Sequence, residues 1–219
     1  TNSVGYSTGK INNAADTGVA NINEKLDTTS FLGMTASSNY TFNFWINVTT
    51  QPVVANEVNV LTWCDTSTSN GKIFYQVKLF NNSGTLQVYI NRNNVTTGNQ
   101  VGANQTFTAG TWYMLTNRWD GSDHTLCINA NHTPLLTQSS TITGSNTNNG
   151  GTDGFKLFTA QDNTTYFAGL LDIVSVWDRA ITDAEMDTLY NSGSGVQYPF
   201  GAVAGGARDA RALTLLGVG

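Results

Sequence analysis

Three glutamates, two histidines and two cysteines are the residues of this chain best suited to bond-making chemistry, and their spacing argues against it. Glycoside hydrolysis takes a pair of carboxyl groups about 5–10 Å apart, flanking the scissile bond. Glu24, Glu57 and Glu185 are scattered singly, and Glu185 already has a duty at a helix start. His124 and Cys127 lie three positions apart in a strand-like segment, so they point to opposite faces and form no nucleophile–base dyad. Cys64 and Cys127 belong to no Cys-x-x-Cys, which excludes a zinc ribbon or a thioredoxin-type redox centre. Both sit in apolar segments and read as buried thiols or as one disulfide. The chain is therefore expected not to be an enzyme.

Recognition chemistry has better candidates. By alternation Asp172 shares a face with Val174 and Val176, which the pattern makes the inward face. A buried carboxylate is costly unless it accepts hydrogen bonds or holds a cation. One reading makes Asp172 an acceptor for main-chain N–H groups of the N-terminal segment. Trp45, Tyr89, Tyr113 and Trp119 fall on the less apolar parity of their strands. They line the outer face of a sheet, as a platform for a sugar ring would, or else they belong to the core. The Asn- and Thr-rich stretches 91–104 and 143–153 read as loops, the other usual place for recognition.

These residues must be positioned by strands. Phe42, Phe44, Ile46 and Val48 alternate with polar or amphipathic residues; so do Ile73, Tyr75, Val77 and Leu79, then Leu86, Val88 and Ile90. A period of two marks half-buried strands. Asn81-Asn82-Ser83-Gly84 and Asp120-Gly121-Ser122-Asp123 supply hairpin turns. Further runs at 58–64, 112–119, 125–130, 155–160 and 166–177 bring the total to eight or more, the mark of a sandwich or barrel. One short helix is expected from the capping box Thr182-Asp183-Ala184-Glu185, ending at Gly193 and plugging an edge of the sandwich.

Composition narrows the partners. Only 11% of the 219 residues are charged, against roughly 25% in an average soluble protein. Asn, Thr, Ser and Gly supply the polarity instead, as is usual for secreted, cell-surface or particle-bound proteins. With a net charge of −5 and ten scattered basic residues, no stripe for nucleic acid exists. No apolar run reaches the ~20 residues of a membrane-spanning helix. Residues 1–200 read as one domain and 201–219 as a Gly/Ala-rich tail whose apolar end is expected to pack on other protein subunits of an assembly.

The segment Gly169-Leu170-Leu171-Asp172-Ile173-Val174-Ser175-Val176-Trp177-Asp178-Arg179-Ala180-Ile181, with Leu189-Tyr190-Asn191 after the capping box, resembles the closing strand and helix of laminin-G-like, concanavalin A-like lectin/glucanase domains. Phe42-Asn43-Phe44-Trp45-Ile46, the Trp112–Asn129 hairpin and Gly9-Lys10-Ile11-Asn12-Asn13-Ala14 are similar to other family segments, in the family's order. The resemblance implies an all-β, two-sheet antiparallel jelly-roll sandwich with one short C-terminal helix. It adds a second reading of Asp172, as a ligand of structural Ca2+ with Asp16, Asn23 and Asp27. It also implies glycan binding, while the Glu-x-Asp-x-x-Glu signature of the glucanases is missing. The strand that usually precedes Gly-Lys-Ile is expected to be lacking, which would leave an incomplete edge for another chain to complete. The expected role is a surface-exposed structural or adhesion protein of a virus particle or extracellular assembly, with a carbohydrate-binding lectin-like module as the alternative.

Overall fold

The computed structural model describes residues 4–17, 26–28, 39–53, 55–65, 73–94, 97–139, 153–159 and 165–197. In them the chain forms strands β1 (Gly5–Thr8), β2 (Asn13–Asp16), β3 (Leu26–Thr28), β4 (Tyr40–Val48), β5 (Glu57–Asp65), β6 (Ile73–Asn82) and β7 (Thr85–Asn94). There follow β8 (Thr97–Asn104), β9 (Trp112–Trp119), β10 (Asp123–Ile128), β11 (Leu136–Ser139), β12 (Asp153–Leu157), β13 (Gly169–Trp177) and helix α1 (Asp183–Tyr190). The strands make a seven-stranded sheet, β1-β2-β13-β4-β9-β10-β11, and a six-stranded sheet, β3-β12-β5-β6-β7-β8. Every pairing is antiparallel. This is the two-sheet jelly-roll sandwich expected from the sequence.

The alternation puts the large apolar side chains between the sheets. Phe42 on β4 stacks on Tyr75 of β6, with ring centroids 5.1 Å apart, and on Phe155 of β12 at 5.7 Å. Ile46, Val77, Leu79, Val88, Ile90 and Leu115 fill the same core and are fully buried. His124 points into this core and Cys127 out of it, as their parity requires. The two cysteines are buried in different sheets and form no disulfide.

Four expectations are corrected. Residues 97–104 are a strand, paired with β7 from Gln87↔Asn104 to Asn94↔Thr97. Val101 and Ala103 supply its core contacts, but Gly98 and Gly102 blur the apolar pattern. Gly5–Thr8 fills the place of the strand expected to be lacking, pairing with β2 over four residues, so that edge is not incomplete. The helix does not plug an edge; Met186 and Leu189 lie with Trp45, Met114, Cys127, Ile173 and Trp177 in a second apolar cluster on the outer face of the seven-stranded sheet. It ends at Asn191 rather than Gly193, because Asn191 adopts the left-handed conformation (φ 47) that Asn tolerates. The tail 201–219 and the stretch 143–152 lie outside the described residues. No helix among the described residues is long and apolar enough to cross a membrane.

The capping box forms as expected. Thr182 Oγ1 accepts from Glu185 N, and Thr182 N donates to Glu185 Oε2 at 2.8 Å. Arg179 Nη1 also donates to Glu185 Oε2 at 2.8 Å, and this guanidinium holds the carboxyl down at about 2. A carboxyl depressed on folding stabilises the protein above its ordinary pKa and loses that contribution as pH falls towards the folded value. Glu185→Gln is accordingly expected to cost about 1 kcal/mol at neutral pH. In urea titrations at several pH values, the gap from the parent protein should narrow between pH ~5 and pH ~2; a gap independent of pH would contradict the assignment.

Candidate functional site

The residues singled out by sequence do not gather in one place. Asp172 is 1% exposed, yet it does not face inward with Val174 and Val176. Between the pairs Asp172↔Trp45 and Ser175↔Asn43 the β13 strand carries one extra residue. This bulge, with Ile173 at φ 46, sets Ile173 in the outer cluster while Leu171 and Val174 both remain in the core. Asp172 therefore stands on the outer side, beneath residues 9–12. Its Oδ2 accepts from Ile11 N at 2.8 Å and its Oδ1 from Ile173 N at 2.8 Å. Burial pushes the carboxyl up, and these N–H groups pull it back. A Cβ at Gly9 would sit 2.5 Å from Oδ2, so only glycine lets the chain pass so close.

These contacts also bear on the calcium reading. Each Asp172 oxygen accepts a main-chain hydrogen bond, which offsets the cost of burying the carboxylate without calling on a cation. Asp16 lies on β2 of the same sheet, whereas Asp27 lies on β3 of the other, opposite Lys156. Asn23 is outside the described residues. Among the described residues no group of three or more His, Cys, Asp or Glu could hold a metal ion.

The four aromatics part in the same way. Trp45 does lie on an outer face but is 2% exposed, covered by Tyr190 stacked at 5.7 Å and by Lys10 Nζ 4.8 Å from the ring centroid. Trp119 is in the central core at 4% exposure, and Tyr113 is half-buried against that core, edge-on to Phe107. Neither tryptophan can offer a ring face to a ligand, and Tyr113 is packed against the core. The rule that outer residues are exposed fails for Trp45 because a helix covers this sheet, and for Trp119 because its parity is the inward one.

Tyr89 stands apart from them. It lies on the outer face of the six-stranded sheet, opposite to Val88 and Ile90, and is only half-buried. Its ring is laid across Gly102 on β8, where any Cβ would overlap it. The hydroxyl donates to Gln87 Oε1 at 2.7 Å, and Gln87 Nε2 donates to Asn104 Oδ1 at 2.8 Å. Phe80 packs edge-on, with centroids 6.1 Å apart. Beside it Lys78 Nζ meets Glu57 Oε1 at 3.1 Å, in a salt bridge whose carboxylate is 44% exposed. The result is an aromatic ring of fixed orientation, bordered by amides and by one ion pair. Such a surface can receive an apolar ring face and hydrogen-bond the polar groups at its rim.

Of these residues Tyr89 is the aromatic that the sequence singles out, while Gly102 and Asn104 fall in the stretch 91–104 that reads as a recognition loop. Phe80, Gln87 and Lys78 occupy the positions of the β6–β7 hairpin that alternate with its core residues, so parity alone could have found them. Asn104 and Gly102 could not be placed while 97–104 read as a loop. Glu57 read as an isolated carboxylate because its partner, Lys78, lies on the neighbouring strand.

Sandwich, capped helix and polar–aromatic face together define a lectin-type jelly roll. A family model described as the concanavalin A-like lectin/glucanases superfamily matches residues 18–187, and the chain belongs to this laminin-G-type family. Among solved structures it is similar to the native heptameric SAP-like pentraxin of Limulus polyphemus, with 19% identity, 75% of this chain and 74% of that one covered, and a TM-score of 0.54. It is also similar to domain 4 of the extracellular arabinanase AbnA of Geobacillus stearothermophilus, solved with arabinotriose (13% identity, 85% and 80% covered, TM-score 0.58). A third neighbour is the binding domain of botulinum neurotoxin serotype G (13% identity, 87% and 45% covered, TM-score 0.61). No curated protein sequence matches the chain.

Proposed function

We propose that this chain is a non-catalytic carbohydrate-binding module, acting outside the cell, that takes its ligand on the outer face of the six-stranded sheet around Tyr89. The observation that carries the reading is the seating of Tyr89 on Gly102 with its hydroxyl already engaged by Gln87. What Tyr89 offers a ligand is therefore its ring face. Sugar rings present axial C–H groups to such a face, and their hydroxyls can exchange hydrogen bonds with the flanking Gln87, Asn104 and Glu57. The fold family supports the reading, as does the arabinotriose-bound neighbour. Binding without hydrolysis is favoured because Glu57 is the one carboxylate among these residues and is paired with Lys78, whereas hydrolysis takes two.

Titration calorimetry with arabinotriose, cellotriose, maltotriose and chitotriose tests the proposal. Tyr89→Ala is expected to weaken the trisaccharide that binds by about thirtyfold or more, the loss of a central aromatic anchor worth about 2 kcal/mol. Tyr89→Phe keeps the ring and should stay within about threefold, the scale of one hydrogen bond. Equal affinity of Tyr89→Ala and the parent protein would refute the site.

A further inference from the structure

A second feature adjoins this face and extends the proposed function, on which the inference rests. A cleft of about 390 Å³ lies at the end of the six-stranded sheet, with Gln51, Val53, Asn56, Glu57, Thr165 and Tyr166 in its walls. Both walls are fixed from beneath. Asn81 Nδ2 donates to Pro52 O at 2.8 Å, while its main chain accepts from Ala55 N and donates to Asn56 O. Across the cleft, Asn59 Nδ2 donates to Thr165 Oγ1 at 2.6 Å, and Tyr166 is bridged to Thr159. A cleft held this way is formed before any ligand arrives, so binding requires little ordering. Its lining mixes apolar surface (Val53, Tyr166) with amides, a hydroxyl and the Glu57 carboxylate, which is the chemistry that matches a sugar ring.

Its position matters more than its lining. Glu57 belongs both to the cleft and to a straight row across four strands, Glu57↔Phe80, Phe80↔Gln87 and Gln87↔Asn104. Strands are ~4.8 Å apart, so the row extends roughly 14 Å. Tyr89 lies beside the row. A ligand laid along it from Asn104 meets the cleft at the other end. The cleft volume is near the lower limit of ligand pockets, roughly 300–1,000 Å³, and suits one sugar unit rather than a length of chain.

We propose that the cleft receives the terminal unit of a neutral oligosaccharide whose following units lie across β6, β7 and β8, so that the module recognises chain ends. Neutrality follows from the lining, which among the described residues holds no cation for a carboxylated or sulfated unit, and from the Lys78–Glu57 pair, whose carboxylate is the more exposed partner. Asn56→Trp is the test variant: Asn56 is exposed and holds its loop through main-chain atoms, so the indole can fill the cleft without unfolding it. With the same four trisaccharides, Asn56→Trp is expected to lose at least about tenfold in affinity at unchanged Tm. Limited hydrolysis of the matching polysaccharide should also raise the protein bound per gram, since each cut makes new ends. Parent-like affinity of Asn56→Trp, with Tyr89→Ala impaired, would overturn end recognition and leave the binding face standing. Loss on Asn56→Trp with Tyr89→Ala unaffected would put the sugar in the cleft alone and overturn both the Tyr89 face and the extended row. Absence of binding to all four by the parent protein would overturn both proposals.

Discussion

Replacing Asp172 by Ala is expected to destabilise the protein by about 3 kcal/mol, since each buried N–H deprived of its acceptor costs about 1–3 kcal/mol and some regain water. Two donors lose their partner together: Ile11 N and Ile173 N. One belongs to the segment that joins β1 to β2, and the other fixes the bulge of β13. Ile173 adopts φ 46 there, a conformation that a β-branched residue holds only when its surroundings impose it. For a chain of this size the loss amounts to a fall in Tm of roughly 6–12 °C. Asp172→Asn keeps one acceptor oxygen and should fall between. Thermal unfolding with and without EDTA completes the test. The chelator is expected to leave the parent protein unchanged; a fall in Tm as large as that of Asp172→Ala would make Asp172 a cation ligand instead.

Trp45→Ala is expected to cost about 3–5 kcal/mol, the usual range for deleting a buried Trp side chain. The indole is the floor on which α1 rests. Tyr190 stacks on it at an interplanar angle of 10°, Lys10 covers it, and a Cβ at Gly195 would lie 3.3 Å from Nε1. Its loss leaves Met186 and Leu189 without one of the two buried tryptophans of their cluster. Amide exchange in α1 should accelerate ahead of exchange in the strands, because the helix is held by this layer and not by strand pairing. Where the variant is still folded its sugar affinity should equal that of the parent. An unfolding free energy within about 1 kcal/mol of the parent would contradict the packing role, and a selective loss of binding would restore Trp45 as a ligand platform.

How far the sequence could be read depended on whether both faces of a strand obeyed one rule. In β6 and β7 they did: Tyr75, Val77, Leu79, Leu86, Val88 and Ile90 face the core, the intervening residues face out, and the hairpin was legible. The capping box was equally plain, because Thr182 and Glu185 act locally. In β13 the rule failed at one residue. The adjacent pair Ile173-Val174 interrupts the alternation, and that break is the trace of the bulge that moved Asp172 to the outer face. Its role as acceptor for the N-terminal segment could be reasoned from the cost of a buried carboxylate, but its side of the sheet could not. Trp45 shows another limit of parity. An outer-face aromatic looks like a platform until a helix far along the chain is known to cover it. The cleft left no trace in the pattern, since it is made by a loop and a bridge that only the β5–β6 pairing and Asn81 bring into place.

The most direct test of the account is to locate the bound sugar by amide chemical-shift mapping, titrating ¹⁵N-labelled protein with the trisaccharide that binds best. The account predicts that the largest shifts fall at Phe80, Gln87, Tyr89, Gly102 and Asn104, with Asn56 and Glu57 at the end of the row. Shifts centred on Trp45, α1 and residues 9–12, with the Tyr89 face unmoved, would contradict it.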